Sequence, residues 1–387
     1  TPKNGNRKAP DRESGAFVVV RCGLSYIYLP TAIIAYALKD CNIQFYVSGD
    51  MVSLAIMNWI GEISNTRGIH IAIDGKGLRA AAHKVRDERT PYILNALDVT
   101  TKLVMGRLAI REKSNEMAAI PELLDMLEIE GSVITIDAIG ATGTIMDTIH
   151  KNGGEFVLQV KKNCPSLYEE LMRLFDGLEE DKKTEPEEFQ KKYGDYYSEK
   201  ETAEKNRERY EYRRFQAYSD ADGIKGFQEE RPAIACVGRS KQTRILQVED
   251  EEGNDTTPGL AEFLKNGSRK QPKPTKGDGL GNDVQYAGLI ASKVFTAGKL
   301  MELKRDHWTI ENGLHYVLDE TFGEDKSTIR SGKNTMSILR KCAYNIVRLL
   351  QMEERGKNAL VPDIIDDICD HLELGLKKIF RAVPSHY

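Results

Sequence analysis

The run Ile69-His-Ile-Ala-Ile-Asp74 decides the fold, because it is a short stretch rich in β-branched residues that stops at Gly75. Such a run is typical of a buried strand that leads into a turn. Two further strand-like runs follow at 92–98 and 103–110, and Val99-Thr-Thr-Lys102 between them is short enough for a hairpin. The sequence therefore predicts three consecutive antiparallel strands.

Two helices and two more strands are predicted after these three. Asn115 supplies N-cap chemistry for a helix over 118–129, and a second amphipathic helix is predicted over 142–152. Strands of the buried type are predicted at 132–137 and 155–160. The resulting order, strand-strand-strand-helix-strand-helix-strand, is found in RNase H-like folds, in which right-handed helical crossovers join the parallel strands.

In that topology the strand ending in Asp74 lies beside the strand ending in Asp137. Asp before Gly or Ala at a strand end is commonly a turn residue, and that interpretation stays open for each residue alone. Two carboxylates on adjacent strand ends repel unless a cation lies between them, so the pair is a candidate divalent-metal site. Mg²⁺ suits such a site, because it binds carboxylate oxygens and keeps water or phosphate in its other positions.

A third acid is expected from a long helical segment in the last third of the chain. His307, Glu311 and His315 follow one another at intervals of four, so they are predicted to share one helical strip beside an apolar face. Glu311 is the candidate ligand, with Glu302 and Asp319 as alternatives. Two other interpretations stay open, namely the polar edge of an ordinary core helix and a zinc site made of the two histidines and Glu311.

Composition places the chain among soluble globular proteins. Its 387 residues suffice for two or three domains, with 29% charged and 40% hydrophobic residues. The net charge of −4 excludes a uniformly basic surface, so nucleic-acid contacts must use local basic patches. Six scattered cysteines without zinc spacing indicate free thiols in a reducing cytoplasm. Arg21 and Pro30 interrupt the apolar stretch 16–38, which argues against a membrane span or signal peptide.

Changes of pattern along the chain predict an α/β protein with five regions. An RNase H-like core, a mixed sheet with flanking helices, is interrupted by a β-rich insertion and bordered by helical N- and C-terminal regions. Strand-like runs near 210–218, 232–237 and 244–248 indicate the insertion. The regions are a short helical N-terminal region (1–68), the first part of the core (69–164), the β-rich insertion (165–285), the second part of the core with the Glu311 helix (286–353) and a C-terminal helical tail (354–387).

Several motifs around the candidate acids resemble those of the DDE insertion-sequence transposases. Three of them are Ala72-Ile-Asp-Gly-Lys76, Lys113-Ser-Asn-Glu116 continuing to Ile120-Pro121, and Thr135-Ile-Asp-Ala138. A fourth runs from His307-Trp-Thr-Ile-Glu311 through Asn-Gly-Leu-His315 to Asp319, followed by Phe322-Gly-Glu-Asp325. This last motif is similar to the signature of the subfamily that includes the H-repeat-associated proteins.

The resemblance implies an enzyme whose catalytic and metal-binding triad is Asp74, Asp137 and Glu311. It implies Mg²⁺ as the cofactor, with Mn²⁺ as a substitute, and DNA as the partner, both at the element ends and at the target. Joining two ends implies at least a homo-dimer on the DNA. Residues expected to contact DNA or phosphate, or to orient the ligands, are Lys76, Asn115, Lys161, Lys162, His307 and His315, together with the basic residues of a loop, Lys265, Arg269, Lys270, Lys273 and Lys276.

The chain departs from the family pattern at several motif positions. Gly77, Thr142 and Cys164 stand where the family often has Thr, Gln and Gln, and Lys304 and His307 stand where the broader superfamily has Tyr and Arg. Three functions therefore stay open: a transposase, a Mg²⁺-dependent nuclease that acts by hydrolysis alone, and a DNA-binding remnant without catalysis. Strand-transfer products would separate the first two, and any metal-dependent turnover would exclude the third.

Overall fold

The structure is a computed structural model that describes nine stretches of the chain. They are 17–22, 25–30, 67–78, 92–110, 115–206, 209–246, 283–327, 333–352 and 360–370. Contacts divide the chain into two compact units, one formed by Ser64–Val317 and the other by Thr1–Ile63 together with Leu318–Tyr387. The candidate acids Asp74, Asp137 and Glu311 all belong to the first of these units. Within the described stretches, every helix is too short or too polar to cross a bilayer.

The N-terminal region contains two strands where the sequence predicts helix. Strands β1 (Phe17–Cys22) and β2 (Ser25–Pro30) pair antiparallel, with Cys22 opposite Ser25. The helical prediction for 1–68 is therefore wrong over these residues. The physical reason lies in the residue types, because β-branched and aromatic side chains such as those of Val-Val-Val and Tyr-Ile-Tyr favour extended backbone. Most of the rest of 1–68 lies outside the described residues.

One mixed sheet of nine strands forms the centre of the larger unit. Its strands, in spatial order, are β5, β4, β3, β6, β7, β11, β10, β9 and β8. Their bounds are β3 (His70–Gly77), β4 (Tyr92–Asp98), β5 (Val104–Ile110), β6 (Val133–Ile136), β7 (Glu155–Val160), β8 (Tyr197–Asn206), β9 (Arg209–Tyr218), β10 (Cys236–Leu246) and β11 (Asp283–Ala291). Strands β3, β6 and β7 are parallel, and the other neighbours are antiparallel.

The first five strands of this sheet carry the predicted order of elements. Helix α1 (Glu116–Asp125) connects β5 to β6, and α2 (Gly143–Lys151) connects β6 to β7. The side chains of Ile120, Leu123 and Leu124 on α1 are fully buried, as the 3.6-residue period requires. Strand β4 is buried along its whole length, so this part of the sheet is covered on both faces.

Residues 165–193 are helical, although they lie in the region predicted to be a β-rich insertion. Helix α3 (Pro165–Thr184) and helix α4 (Pro186–Tyr193) each begin with a proline in the first turn. The sequence did not predict these two helices within the region, because the charged residues of α3 mask a narrow apolar stripe. Its buried residues are Leu167, Leu171, Phe175 and Leu178.

The strands predicted within the insertion exist, and they extend the central sheet. The predicted strand 210–218 corresponds to β9, and the two predicted runs 232–237 and 244–248 correspond to parts of the single long strand β10. Helix α5 (Lys225–Glu230) lies between β9 and β10. Strand β11 then pairs with both β7 and β10, so the insertion is continuous with the first five strands.

The segment that carries Glu311 consists of three consecutive helical stretches, of which the middle one is π-helical. Helix α6 (Ala297–His307) begins at Thr296, whose side chain accepts a hydrogen bond from the Lys299 backbone N–H. A π-helical stretch (Ile310–His315) follows, and then helix α7 (Tyr316–Glu320). Helix α6 contacts β3, β6, β7, β8, β9 and β10, so it crosses the junction between the first strands and the extension.

Two further helices belong to the smaller unit. They are α8 (Lys333–Leu350) and α9 (Val361–Asp370), and α9 lies within the region 354–387 that the sequence predicts to be a helical tail. A buried ion pair joins Lys341 to Glu324 at 3.3 Å, and Ser337 donates to the same carboxylate oxygen at 2.8 Å. Residues 371–387 lie outside the described residues.

Candidate active site

Asp74 and Asp137 occupy equivalent positions on adjacent parallel strands. The last paired residues of β3 and β6 are Ile73 and Ile136, so each aspartate lies one residue beyond them. Neighbouring strands run about 4.8 Å apart, which places the two carboxylates side by side at one edge of the sheet. The prediction that these two strands are neighbours is confirmed.

Glu311 reaches this edge from the π-helical stretch. Ile310 and Leu314 in that stretch are fully buried, and the stretch contacts β3. The Glu311 carboxylate acts electrostatically on both aspartates, because its charge contributes to the pKa of Asp74 and the charge of Asp137 contributes to its own pKa. Single-turn π-helices are frequent at functional sites.

The three carboxylates differ in their protonation. Burial, followed by the charges of Glu311, Glu116 and Asp137, raises the pKa of Asp74 to about 7, although the Gly75 backbone N–H opposes the rise. Burial and the charge of Asp137 also raise the pKa of Glu311. All these causes follow from packing acids together with little solvent.

Asp137 behaves in the opposite way to Asp74. Burial tends to raise its pKa, but the Ala138 backbone N–H and the Lys161 ammonium together hold the pKa below its ordinary value. The Lys161 Nζ atom lies 3.2 Å from the Asp137 carboxylate, and both side chains are about half exposed. Lys162, the next residue, is exposed. Asp137 therefore stays ionised at neutral pH.

His315 contacts Asp74 and is held from its other side by Asn95. Its Nδ1 atom lies 3.5 Å from Asp74 Oδ2, and its Nε2 atom lies 3.2 Å from the amide nitrogen of Asn95, which is fully buried. With the amide donating to Nε2, the ring proton is on Nδ1 and points at Asp74. Lys76 is buried and donates from Nζ to the His315 backbone carbonyl at 3.3 Å.

His307 lies in the interior, in contrast to the predicted strip that it would share with Glu311 and His315. Its Nδ1 atom is 3.0 Å from Thr135 Oγ1, which is also 2.8 Å from His70 Nε2. Burial lowers the pKa of His307 to about 4, with Lys161 adding to the effect and Asp137 opposing it. The strip is broken because helix α6 ends at His307 before the π-helical stretch begins.

Glu116 is a fourth acid at the site that the sequence reading missed. Its carboxylate is buried and its charge contributes to the raised pKa of Asp74. A Cβ atom placed on Gly75 would lie 2.5 Å from Glu116 Oε1 and would overlap the Tyr92 ring. The signal was present, because Glu116 stands four residues before Ile120 and so shares the inward face of α1.

Asn115 occupies the predicted N-cap position of α1, although its side chain makes no capping hydrogen bond, and the alternative acids lie elsewhere. Glu302 pairs with Lys299 on the exposed side of α6 at 2.5 Å. Asp319 belongs to the smaller unit. The basic loop residues between 265 and 276 lie outside the described residues.

No three of the His, Cys, Asp and Glu side chains in the described stretches stand close enough together to ligate one ion as they are placed. The finding applies alike to Asp74, Asp137 and Glu311 and to the alternative zinc set of His307, Glu311 and His315. The Nδ1 atom of His307 is in any case engaged with Thr135.

A cleft of about 350 Å³ opens beside Asp137 and Glu311. It lies between the sheet and the end of α6. Its lining residues are Thr135, Ile136, Asp137, Val157, Gln159, Lys161, Ser240, Gln242, Arg244, Gln285, Tyr286, Ala287, Leu289, Lys304, His307, Trp308 and Glu311. Lys304 donates to Ser240 Oγ at 2.6 Å, and burial together with the charge of Lys161 lowers the pKa of Lys304 to about 7, against the pull of Asp137.

Comparison with known proteins identifies the protein family to which this chain belongs. Residues 65–346 match the Transposase DDE domain, and the chain belongs to that family. The protein YbfL of Escherichia coli (strain K12) is 32% identical over 297 residues, covering 75% of this chain and 67% of YbfL. The H repeat-associated protein YhhI of the same strain is 31% identical over 297 residues, covering 75% of this chain and 67% of YhhI. The resemblance inferred from the motifs is confirmed.

One solved structure aligns more weakly. A chain of the piggyBac transposase synaptic complex with hairpin DNA has a TM-score of 0.38 and 10% identity, covering 83% of this chain and 59% of that chain. A likeness of this size defines neither the fold nor a ligand of the present protein.

Proposed function

We propose that this chain is a transposase that cuts DNA strands at the ends of an insertion sequence and joins the freed 3′ hydroxyl groups to target DNA. Its catalytic unit is an RNase H-like core made of β3 to β7 with α1 and α2, and residues 165–285 form an insertion in that core. The observation that carries the proposal is the equivalent position of Asp74 and Asp137 on adjacent parallel strands, with Glu311 coupled to both. Family membership supports the same reaction class.

The chemistry of the acids fits Mg²⁺, with Mn²⁺ as a substitute. Burial and the charges of three other acids raise the pKa of Asp74 to about 7, so a cation placed among these acids would relieve their mutual repulsion. Asp74, Asp137 and Glu311 would hold the ions, with one or two carboxylates on each ion and with water or phosphate oxygens in the other positions. When bound, the ions would neutralise charge on the phosphate and favour deprotonation of the attacking hydroxyl.

The chain's own groups have separate tasks in this proposal. Lys161 keeps Asp137 ionised and presents an ammonium group to a phosphate at the mouth of the cleft. His315 donates a hydrogen bond to Asp74 and so orients its carboxylate. Lys76 fixes the backbone that carries His315, so it acts by positioning and leaves direct DNA contact to exposed residues.

DNA is the proposed partner, both as element ends and as target. Asn115 and Lys162 are exposed, and each adjoins in sequence a residue of the site, Glu116 and Lys161 respectively; both are proposed to contact the DNA backbone. His307 is buried and neutral, so its proposed role is to hold Thr135 and the wall of the cleft. Because two ends must be joined in one reaction, we propose that at least two copies of the chain act together on the DNA.

The test is Mg²⁺-dependent cleavage and joining of a duplex that carries the repeats flanking the coding sequence. Asp137→Asn keeps the shape of the side chain and removes one charge, so both products should disappear while DNA binding without metal is retained. The matched control is Asp176→Asn, an exposed aspartate on α3 that pairs with Arg239. Cleavage retained by Asp137→Asn would end the proposal, and cleavage without joining in the wild type would indicate a hydrolytic nuclease.

A further inference from the structure

The cleft beside the carboxylates has three glutamines on its floor. They are Gln159 on β7, Gln242 on β10 and Gln285 on β11. Gln242 pairs directly with Gln285 across the two antiparallel strands. Alternate residues of a strand point to the same face, so these side chains share the face that α6 covers elsewhere.

The same face changes character where α6 ends. Beneath α6 it is apolar, and Val157 and Leu289 pack in one buried cluster with Leu300 of that helix. Gln159 stands two residues from Val157, and Gln285 stands four residues from Leu289, so the change from apolar to amide side chains occurs within a few residues on both strands. Among the described residues, the part of this face beyond α6 is therefore the floor of a concave site with hydrogen-bonding side chains.

The amide groups in the cleft are partly preorganised. With the Gln242 amide turned so that its oxygen faces Arg244, that oxygen accepts hydrogen bonds from Arg244 Nη2 at 3.2 Å and from Nε at 3.3 Å. The amide NH₂ is then the edge that Gln242 offers to a ligand. An amide carries a donor and an acceptor side by side, which is the pattern that the edges of nucleobases complement.

Cationic and acidic side chains also line the cleft. Lys161 and Arg244 are two of the basic residues, and the Lys304 amino group lies deeper, against Ser240 and over the Phe215 ring at 5.5 Å. The carboxylates of Asp137 and Glu311 lie in the same cleft as the three glutamines. A nucleotide whose phosphate lies at these carboxylates can therefore extend its base into the space that the glutamines line.

We propose that the cleft is a nucleotide-recognition subsite, in which Gln159, Gln242 and Gln285 contact the base of the nucleotide that adjoins the cut phosphate. This inference rests on the proposed function, because it takes the carboxylates to mark the position of that phosphate. It adds a source of sequence preference at the cut itself, which positioning contacts to the DNA backbone do not provide.

The experiment has two arms, both with the full-length chain. In the first, a pool of duplexes with randomised sequence is cut in the presence of Mg²⁺ or Mn²⁺, and the new ends are sequenced. In the second, twelve-nucleotide strands of dA, dC, dG or dT are titrated without metal and followed by fluorescence anisotropy. The variants are Gln242→Ala and Gln285→Ala, with Gln190→Ala on the exposed side of α4 as the matched control.

Both arms should respond in the same way if the subsite exists. The wild type and Gln190→Ala should show a base preference at one position next to the cut. In the cleft variants, the ratio of the preferred base to the other bases at that position should fall roughly 10-fold, while the DNA is still cut. The differences in affinity among the four strands should narrow in parallel. Gln242→Glu, which keeps the size and replaces the NH₂ donor, should change which base is preferred.

The failures are distinguishable. Cutting with an unaltered base preference in the cleft variants would overturn the subsite and leave the proposed function standing. If the wild type cuts nothing but discriminates among the strands, and the cleft variants lose that discrimination, the proposed function fails and base recognition by the cleft stands. Equal binding of all four strands by the wild type would overturn the subsite regardless of cutting.

Discussion

Asp74→Asn should make the metal-free protein more stable at alkaline pH. The pKa of Asp74 is raised from 3.8 to about 7, mainly by burial and then by Glu311, Glu116 and Asp137. Between these two values the unfolded chain has already released a proton that the folded chain keeps, so the stability of the wild type falls as pH rises. At about 1.4 kcal/mol for each pKa unit, ionising Asp74 in the folded chain lowers the free energy of unfolding by about 4 kcal/mol. This loss reaches its full size at pH values above the folded pKa.

The asparagine side chain has no charge to bury, and it can still accept the hydrogen bond from the Gly75 backbone N–H. The Asp74 side chain is 23% exposed, so solvent reduces the cost only in part. We therefore expect the free energy of unfolding of Asp74→Asn to exceed that of the wild type by about 2–4 kcal/mol at pH 8. Near pH 4 the two should be equal, because the wild-type carboxyl is then protonated in the folded state.

The measurement is urea denaturation in EDTA at several pH values between 4 and 8, followed by tryptophan fluorescence. Asp137→Asn is the matched control, because its pKa is held below the ordinary value and its side chain is half exposed. Removing the Asp137 charge should lower the free energy of unfolding by about 0–1 kcal/mol and should not raise it at pH 8. A difference between Asp74→Asn and wild type that does not change from pH 4 to pH 8 would show that the Asp74 charge does not destabilise the folded chain.

Three further variants test the packing around the site and in the smaller unit. Gly75→Ala places a methyl group against the Tyr92 ring and the Glu116 carboxylate, and urea denaturation should show a free energy of unfolding lower by about 1–3 kcal/mol. Lys341→Met leaves the buried carboxylate of Glu324 without its ion pair and should lower the free energy of unfolding by about 3–5 kcal/mol. A decrease below about 1 kcal/mol would contradict this expectation. Asn95→Ala releases the imidazole beside Asp74 and should lower the DNA cleavage rate about 10-fold while the chain stays folded by circular dichroism.

The strands and the pair of aspartates could be predicted because their signals are local. Strand β4 and strand β7 have the predicted bounds, since each is a run of apolar residues closed by turn residues on both sides. The adjacency of Asp74 and Asp137 then follows from the order of elements, because right-handed crossovers leave few ways to arrange such an order. No long-range information was needed for either step.

The helices α3 and α4 were not predicted because the many charged residues of this stretch obscure the 3.6-residue spacing of its apolar side chains. Charged residues dominate α3, and its four buried residues form a stripe only one side chain wide. The sequence also could not show that β8, β9 and β10 would extend the central sheet, because they join it only through the pairing of β10 with β11. Such a pairing depends on the edge that β11 leaves open, which is a property of the folded sheet.

The Glu311 segment shows how a change of helix type altered the site. A continuous α-helix would have kept His307, Glu311 and His315 on one strip, as their spacing predicts. Helix α6 instead ends at His307, and the π-helical stretch carries the other two residues. His307 is therefore committed to Thr135 in the interior, while His315 reaches Asp74.

The opposite behaviour of Asp74 and Asp137 would make cation binding at the proposed site depend on pH. Asp137 is ionised at neutral pH and already has a cation beside it, the Lys161 ammonium at 3.2 Å. Asp74 holds a proton up to a pH of about 7. If the two carboxylates share a divalent cation, as the proposed function requires, that cation would displace the Asp74 proton and compete with Lys161. The Lys161 ammonium would then be available to a phosphate in the cleft, so the proposed function links occupation of the carboxylates to the binding of DNA.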